Sequence, residues 1–422
     1  METTKGIQEG GVMGRRRFHT LAATGLAAAL DAAAASRVYG ANDRLRLGVI
    51  GCGGRGTHHM NVLLQLRSGG EALDVTAVCD TYRPRLENAA RLTGAVFKTQ
   101  RHEELVARDD LDAVLVATPD HWHGFQTLDA LKANKDVYCE KPLTHWRQLG
   151  LPERLVQTAA QTGRVVQVGC QRMSSSATVQ ARALIQEGAI GQPIMAETGY
   201  YRIGDWGERG MPIDDGAAKP GPDLDWERFQ GDAPRKDFDV SRYFRWRMYW
   251  DYSGGPGTDN YVHFYTPLAF MLDLGYPDTV VATGGKFRYE EREVPDTFNM
   301  IVDYPRKFSV LCQGTQGNDF QSLGSGESPI LRGWEGTLTI EGGEIVVRPV
   351  GGVQRAEKRV PIETPTSEAR FWQEFLGCVR SRRQPRSGIT LGATVATTLQ
   401  MGILAMRERR YVRYDGVSGK VM

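Results

Sequence analysis

Three side chains have the types and spacing needed for proton transfer at a carbon that carries a hydroxyl group. Lys141 stands in the tripeptide 140–142, and Asp259 and His263 are four residues apart, which would place both on one face of a helix. Oxidation of a secondary alcohol needs a base for the hydroxyl proton while hydride leaves the carbon. Lys141 is the candidate base, and Asp259 with His263 can work beside it. The alternative reading is a surface lysine, a helix-capping aspartate and a structural histidine.

A glycine-rich turn near the start of the chain provides a second candidate site. Residues 45–50 predict a short apolar strand, and residues 57–66 predict a helix. Between them lie the candidates for cofactor binding, which are Gly51, Gly53, Gly54, Arg55 and Gly56. Glycines at such a turn let the backbone approach a pyrophosphate, and the helix N-terminus presents free N–H groups. The turn therefore predicts a dinucleotide site.

An acidic residue follows the next predicted strand, at 74–79. A carboxylate at the position of Asp80 binds the hydroxyls of the adenosine ribose and repels a 2′-phosphate, so NAD is favoured over NADP. Arg83 and Arg85 lie just beyond and could soften that preference. Taken alone, Asp80 could equally be a helix cap.

The alternation of strands and helices continues to residue 168. Predicted strands at 113–117 and 136–139 are followed by a helix at 148–161 and a strand at 165–168. Strands separated by such helices indicate an α/β Rossmann domain with a doubly wound parallel sheet, in which ligands bind beyond the carboxyl ends of the strands. Further cofactor-binding candidates follow two of these ends, namely Thr118, Pro119, His123, Glu140 and Lys141.

The sequence predicts no metal site. His121 and His123 flank Trp122, but neither a third histidine nor a suitably spaced carboxylate accompanies them, which favours packing at the start of a helix. The six cysteines form no CxxC pair, and four of them end apolar runs, as inert buried thiols do.

These motifs together resemble the Gfo/Idh/MocA family of sugar and inositol oxidoreductases. The resemblance covers residues 44–415. It rests on the glycine turn, Asp80, Thr118-Pro119-x-x-x-His123, Glu140-Lys141-Pro142 and Asp259-x-x-x-His263. It implies an N-terminal NAD(P)-binding Rossmann domain and a C-terminal α/β domain, whose open and mainly antiparallel sheet often mediates oligomer contacts.

The same resemblance implies roles for the three candidate catalytic residues. Lys141 would contact substrate and cofactor, and Asp259 and His263 would face it across the nicotinamide. The chain departs from the family pattern at Tyr261, where many members have glycine, and at Pro256. These departures concern the local substrate contacts.

The second half of the chain changes in character. Residues 200–259 mix glycine, proline and charge with many aromatic rings, which could stack on sugars, pin a long loop to the domain or form an oligomer contact. Arg202, Arg245 and Arg247 could bind substrate or form surface pairs. Five predicted strands follow, at 280–289, 298–304, 308–315, 336–340 and 344–350. Helices are predicted at 369–381 and 390–406.

The N-terminus predicts export. Arg15, Arg16 and Phe18 precede an alanine-rich stretch that ends before Ser36, in the order of a twin-arginine signal. We therefore expect an export signal at 1–35, an arm at 36–43, a Rossmann domain at 44–170 and a substrate and oligomerisation domain at 171–422. The location expected for the protein is periplasmic, and the alternative is a basic arm that is retained.

Composition narrows the range of functions. The 422 residues carry a formal net charge of only +2, which gives no support to nucleic-acid binding, and beyond the signal no run of 18 apolar residues predicts a membrane span. Glycine is abundant, because 49 of the 422 residues are about 12% of the chain, whereas roughly 7% is usual. Many of these glycines fall in the two site loops and in the predicted turns between strands.

The sequence therefore predicts an NAD-dependent oxidoreductase for a sugar, glycoside or inositol-like polyol, assembled as a homo-oligomer. Free NAD is not recycled outside the cytoplasm, so we expect a tightly bound cofactor and a redox-neutral cycle. One alternative is an NAD-dependent glycoside hydrolase that acts by transient oxidation and elimination. The other is a non-catalytic sugar- or nucleotide-binding protein.

Overall fold

The computed structural model describes residues 44–204, 211–321 and 328–422. The predicted export signal at 1–35 and the arm at 36–43 lie outside these described residues.

Six parallel strands form the first sheet, in the order β3-β2-β1-β4-β5-β6. They are β1 Leu45–Ile50, β2 Leu73–Cys79, β3 Phe97–Thr99, β4 Ala113–Val116, β5 Asp136–Glu140 and β6 Val166–Gly169. All four residues of β4 are buried, as expected for a strand that has helices on both faces of its sheet. The predicted doubly wound parallel sheet is confirmed, and its order reverses between β1 and β4, where such folds bind ligands.

Five helices lie between these strands. They are α1 Gly54–Ser68, α2 Arg83–Thr93, α3 His102–Val106, α4 Asp120–Lys132 and α5 Leu151–Thr162. α1 begins three residues earlier than its sequence suggested, so the last glycines of the turn already belong to the first helical turn. α2, β3 and α3 were not anticipated, because their apolar positions are too few to produce a clear period.

The second sheet is mixed but mainly antiparallel, and its path among the described residues is β15-β14-β13-β12-β7-β10-β9-β8-β16-β17, with β11 beside β7. Its strands are β7 Pro193–Ile203, β8 Thr279–Gly285, β9 Thr297–Tyr304, β10 Phe308–Thr315, β11 Gly317–Asn318, β12 Ile330–Gly333, β13 Gly336–Glu341, β14 Glu344–Pro349, β15 Lys358–Pro361, β16 Val412–Asp415 and β17 Lys420–Val421. Among the strand pairs of the described residues in this sheet, only β7–β10 runs parallel. The open antiparallel sheet expected from the family resemblance is confirmed.

Seven helices complete the described part of the chain. They are α6 Ser176–Gln186, α7 Trp226–Gln230, α8 Val240–Phe244, α9 Pro256–Asp259, α10 Tyr261–Leu272, α11 Glu368–Ser381 and α12 Ile389–Glu408. One face of the second sheet packs on α10 and α12. By length and composition α12 could cross a membrane, alone among the described helices, but most of it is buried inside the protein.

The C-terminal helices also pack against the first sheet. Phe371, Trp372 and Phe375 of α11 lie in one core cluster with residues of β1 and β2, and Ala393 of α12 lies in another with residues of β4 and β5. The chain therefore returns to the Rossmann domain after it has built the second sheet. The domain boundary predicted at residue 170 did not include this packing of the C-terminal helices against the Rossmann domain.

Candidate active site

The glycine turn between β1 and α1 has a backbone that only glycine allows at two positions. Gly51 has φ +90°, and a Cβ there would lie 2.6 Å from the carbonyl carbon of Ala117. A Cβ on Gly56 would lie 1.9 Å from the carbonyl oxygen of Gly51, whereas Gly54 has open space. Bare backbone at the N-terminus of a helix is what a pyrophosphate needs, so the turn fits a dinucleotide.

Asp80 ties the end of β2 to the glycine turn. Its Oδ2 accepts a hydrogen bond of 2.7 Å from the N–H of Cys52, and its Oδ1 accepts one of 2.8 Å from the N–H of Tyr82. Burial raises the pKa of Asp80, while the charge of Arg85 and these two hydrogen bonds oppose the rise. Each carboxylate oxygen can accept a further bond, so the residue fits a ribose diol.

A cavity of about 320 Å³ opens at the carboxyl ends of the strands of the first sheet. It is lined by residues that the sequence singled out for the cofactor, namely Gly51, Gly53, Gly54, Arg55, Asp80, Thr118, Pro119, His123, Glu140 and Lys141. Gly56 lies behind the turn, where it permits the close packing of α1. The predicted cofactor residues thus share one cleft.

Lys141 and Asp259 meet at one end of this cavity. Lys141 Nζ donates to Asp259 Oδ1 at 2.6 Å and to the backbone oxygen of the same residue at 2.9 Å. Arg247 Nε donates to Asp259 Oδ1 at 3.1 Å. Burial alone would raise the pKa of Asp259, but the two cations hold it well below its ordinary value. Asp259 is therefore a carboxylate that positions a lysine.

His263 lies one helical turn beyond Asp259, but not on the same helix. α9 ends at Asp259, Asn260 separates the two helices, and α10 begins at Tyr261. Burial, helped by the charge of Lys141, lowers the pKa of His263 to about 3. The imidazole is therefore neutral, but His263 does not line the cofactor cavity. It lines a separate pocket with Arg172 and Phe264, so the structure does not bring all three predicted catalytic residues into one cleft.

Glu140 is held in place by a chain of hydrogen bonds that starts on α11. Trp372 Nε1 donates to His59 Nδ1 at 2.9 Å, so the proton of the neutral ring is on Nε2, which lies 2.8 Å from Glu140 Oε1. Arg55 Nε donates to the same oxygen at 2.8 Å and its Nη2 donates to Glu368 at 2.5 Å. The charge of Arg55 and the His59 bond hold the pKa of Glu140 well below its ordinary value, although burial opposes this.

The His-Trp-His sequence serves packing, as its spacing suggested. His121 Nε2 lies 2.7 Å from the backbone oxygen of Phe229, and Trp122 Nε1 donates to that oxygen at 2.9 Å. The two ring nitrogens of His123 lie 2.7 Å from the backbone oxygens of Thr118 and Pro142. Across residues 44–204, 211–321 and 328–422, no group of three His, Cys, Asp or Glu side chains could hold a metal ion.

Asp120 is a buried acid that the sequence reasoning missed. Its Oδ2 accepts a 3.0 Å hydrogen bond from Ser253 Oγ, and its Oδ1 has no partner among the described residues. Burial and the nearby charge of Asp259 raise its pKa to about 7, against the charges of Arg247 and Lys141. Its position after Thr118-Pro119, beyond the end of β4, was the signal that could have identified it.

Residues 211–253, which we call the aromatic strap, pack over the cofactor cleft. Their rings form a cluster with one another and with Tyr82 of the Rossmann domain. Phe229, Tyr243, Phe244 and Trp246 also line the cofactor cavity. Of the roles left open for this stretch, the described residues favour a long segment pinned to the domain by its aromatic rings.

The three arginines that the sequence singled out, Arg202, Arg245 and Arg247, have different surroundings. Arg247 binds Asp259, and Arg245 Nε donates to the backbone oxygen of Met211 at 3.0 Å. The Arg202 guanidinium lies 5.3 Å from the centroid of the Tyr200 ring. Arg247 is thus a site residue whose partner the sequence did not reveal.

Family models match two segments of the chain. Residues 45–170 match a model described as "Oxidoreductase family, NAD-binding Rossmann fold", and residues 175–284 match one described as "Oxidoreductase family, C-terminal alpha/beta domain". Together the two segments cover more than half of the chain.

One curated relative shows similarity in sequence, and two solved structures show similarity in fold. The chain is 31% identical to inositol 2-dehydrogenase of Salmonella typhimurium over 159 residues, which are 37% of this chain and 46% of that protein. The chain thus matches about half the length of this relative. The WlbA dehydrogenase of Bordetella pertussis, solved with NADH and UDP-GlcNAcA, superposes with a TM-score of 0.63 at 20% identity, over 88% of this chain and 99% of that one. The aldose-aldose oxidoreductase of Caulobacter crescentus, solved with glycerol, gives 0.63 at 17% identity, with the same coverage.

Proposed function

The chain belongs to the Gfo/Idh/MocA oxidoreductase family, and from that premise we propose that it transfers hydride between a neutral sugar or polyol and a bound NAD. The observation that carries the proposal is the contact of Lys141 with Asp259 at the end of a cleft built by the glycine turn and Asp80. Inositol 2-dehydrogenase, the relative of 31% identity, supports a cyclic polyol as the substrate class.

The residues at the end of the cleft can manage the proton of a substrate hydroxyl. When bound, the nicotinamide ring supplies the acceptor for hydride. Lys141 Nζ is held between two oxygens of Asp259. Its ammonium form would give a proton to the carbonyl oxygen during reduction, and the amine that remains would take the hydroxyl proton during oxidation. His263 lies outside the lining of this cavity, so its neutral ring acts on the site only through its proximity to Lys141 and Asp259. A neutral substrate suits this site, because Arg247 and Lys141 already share the charge of Asp259.

The aromatic strap supports the proposal that the cofactor stays bound between turnovers. Several rings of the strap line the cavity, and the strap is tied to α4 by the two bonds to the Phe229 oxygen. A dinucleotide held beneath the strap would be re-oxidised in place by a second substrate, which gives a redox-neutral cycle. Such a cycle suits a compartment that does not recycle free NAD.

Purification without added cofactor tests this proposal. Native mass spectrometry and the near-ultraviolet absorbance of the purified protein should reveal one dinucleotide per chain, reduced by one member of a panel of sugars and inositols. A protein that emerges empty and binds NAD only weakly would contradict the retention of the cofactor.

A chromogenic aryl glycoside separates the redox cycle from hydrolysis. We expect no release of the aryl group when no second redox partner is present. Steady release without net NADH would instead identify a glycoside hydrolase.

We further propose export through the twin-arginine route. The support is the order Arg15, Arg16 and Phe18 ahead of an alanine-rich stretch. Replacement of both arginines by lysine should retain the protein in the cytoplasmic fraction, while Lys5→Arg serves as the control. An unchanged distribution would contradict the route.

A further inference from the structure

Two arginines follow Asp80 in the chain, and the aromatic strap holds both of them. Arg85 donates from Nε and Nη2 to Asp214 Oδ2, at 2.8 and 2.5 Å. Arg83 Nη2 donates to the backbone oxygen of Pro222 at 3.1 Å, and its Nε lies 3.1 Å from Asp223 Oδ1. The cations that could have softened a preference for NAD are therefore engaged by one segment.

Arg85 lies at the end of the cavity where the glycine turn meets Asp80. A Cβ added to Gly53 would come within 3.1 Å of its Nη1, and its guanidinium carbon lies 5.1 Å from the centroid of the Phe244 ring. Arg85 and Asp214 both line the cavity, together with Asp80. The guanidinium is thus fixed between a phosphate-binding turn and a ribose-binding acid.

The position of Arg85 matters because of the chemical difference between NAD and NADP. They differ by a phosphate on the 2′-hydroxyl of the adenosine ribose, and an arginine near that ribose accommodates this phosphate. Two parallel donors of a guanidinium suit a phosphate as well as they suit a carboxylate. Asp214 occupies two donors of Arg85 and brings a second negative charge towards Asp80.

We propose that Asp214 determines cofactor specificity by acting through Arg85. It keeps the guanidinium paired with a carboxylate, so that the cleft accepts a dinucleotide with free ribose hydroxyls and rejects one with a 2′-phosphate. Asp214 belongs to the strap and not to the Rossmann domain, so the strap selects the cofactor that it covers. This inference rests on the proposed function, because it requires a dinucleotide in the cavity.

The test is a pair of dissociation constants, for NAD and for NADP, measured by fluorescence titration of the full chain freed of its cofactor. For Asp214→Asn we expect NADP to bind about tenfold more tightly, with the NAD constant changed by less than about threefold. Asp214→Glu retains the negative charge, so its ratio of NAD to NADP dissociation constants should equal that of the wild type. The double variant Asp214→Asn with Arg85→Ala should lose the gain, since no guanidinium remains to bind the phosphate.

Asp215→Asn is the matched control. Asp215 is the next residue of the strap, and its Oδ2 accepts a hydrogen bond of 3.1 Å from Tyr82 Oη, so its loss disturbs the attachment of the strap and leaves Arg85 paired. An unchanged NAD to NADP ratio in Asp214→Asn would overturn the inference, as would an equal change in Asp215→Asn. A wild-type chain that binds neither dinucleotide would instead contradict the proposed function itself.

Discussion

At the scale of single residues, the site depends on how two buried carboxyl groups share the charge of Lys141 and Arg247. Asp259 is held ionised by both cations, while burial and the charge of Asp259 raise the pKa of Asp120 to about 7. A pair of acids with pKa values pushed apart in this way is a common feature of catalytic sites. The sequence identified Lys141, Asp259 and His263, because their types and spacing are local. It missed Asp120 and the bond from Arg247 to Asp259, because both depend on how distant segments meet.

Asp259→Asn should lower kcat about 100-fold and leave NAD binding nearly unchanged. The amide keeps the shape of the side chain and an acceptor oxygen, but it has no negative charge to pair with Lys141 and Arg247, so Lys141 is held less firmly. Steady-state kinetics together with an NAD titration check this. Asp251→Asn is the control, because that acid also pairs with an arginine of the strap, Arg242, at 3.2 Å. Equal kinetics for the two variants would refute the role of Asp259.

The free energy of unfolding of the wild-type protein should decrease as the pH rises from about 4 to about 7, and Asp120→Asn should lack this decrease. The folded protein raises the pKa of Asp120 above its value in the unfolded chain, so the folded state holds its proton more tightly. That stabilisation is complete below the unfolded pKa and is lost as the pH rises through about 7. Urea unfolding measures the decrease in the free energy of unfolding between pH 5 and pH 8. We expect this decrease to be smaller in Asp120→Asn than in the wild type, by about 1 kcal/mol or more. An identical decrease in both proteins would show that Asp120 is ionised throughout.

At the scale of elements, the turn between β1 and α1 depends on Gly56 more than on Gly54. Gly56→Ala would force a methyl group against the carbonyl oxygen of Gly51, and we expect a cost of about 2 kcal/mol in unfolding free energy with loss of NAD binding. Gly54→Ala meets open space and is the matched control for stability. Thermal unfolding of both variants and NAD titration of Gly56→Ala test this, and similar losses of stability in the two variants would contradict the packing.

Local patterns predicted five of the six strands of the first sheet, but they predicted less of the second half. β7, which runs through the middle of the second sheet, was missed because its eleven residues include a proline and a glycine and alternate only partly. The aromatic residues of the strap follow neither a helical nor a strand period, so the path of the strap over the cleft could not be predicted from the sequence. The bond from Trp372 to His59 joins residues 313 positions apart, a separation that no local pattern records.

At the scale of the whole molecule, the outer face of the second sheet is the candidate oligomer surface. Ile301 of β9 is 45% exposed, and it lies opposite Val281 on one neighbouring strand and Leu311 on the other. Three apolar side chains side by side on a partly exposed sheet face favour association.

Ile301→Asp should therefore dissociate the oligomer that we expect, because it places a charge in the middle of this row. Native mass spectrometry or light scattering measures the result. Val417→Asp is the control, since Val417 is 99% exposed on the C-terminal turn. A wild-type monomer, or an Ile301→Asp oligomer of unchanged mass, would contradict an interface at this face.

In the proposed reaction, hydride moves between a substrate carbon and a bound nicotinamide, and Lys141 transfers the proton. The most direct measurement follows deuterium from the oxidised carbon of a labelled polyol, chosen as the sugar or inositol that reduces the bound cofactor. Mass spectrometry of the released dinucleotide should find the label with the wild-type chain, and should find almost none with Lys141→Ala, although that variant still binds NAD. Consumption of the polyol without label on the dinucleotide, or equal labelling by Lys141→Ala, would contradict the account.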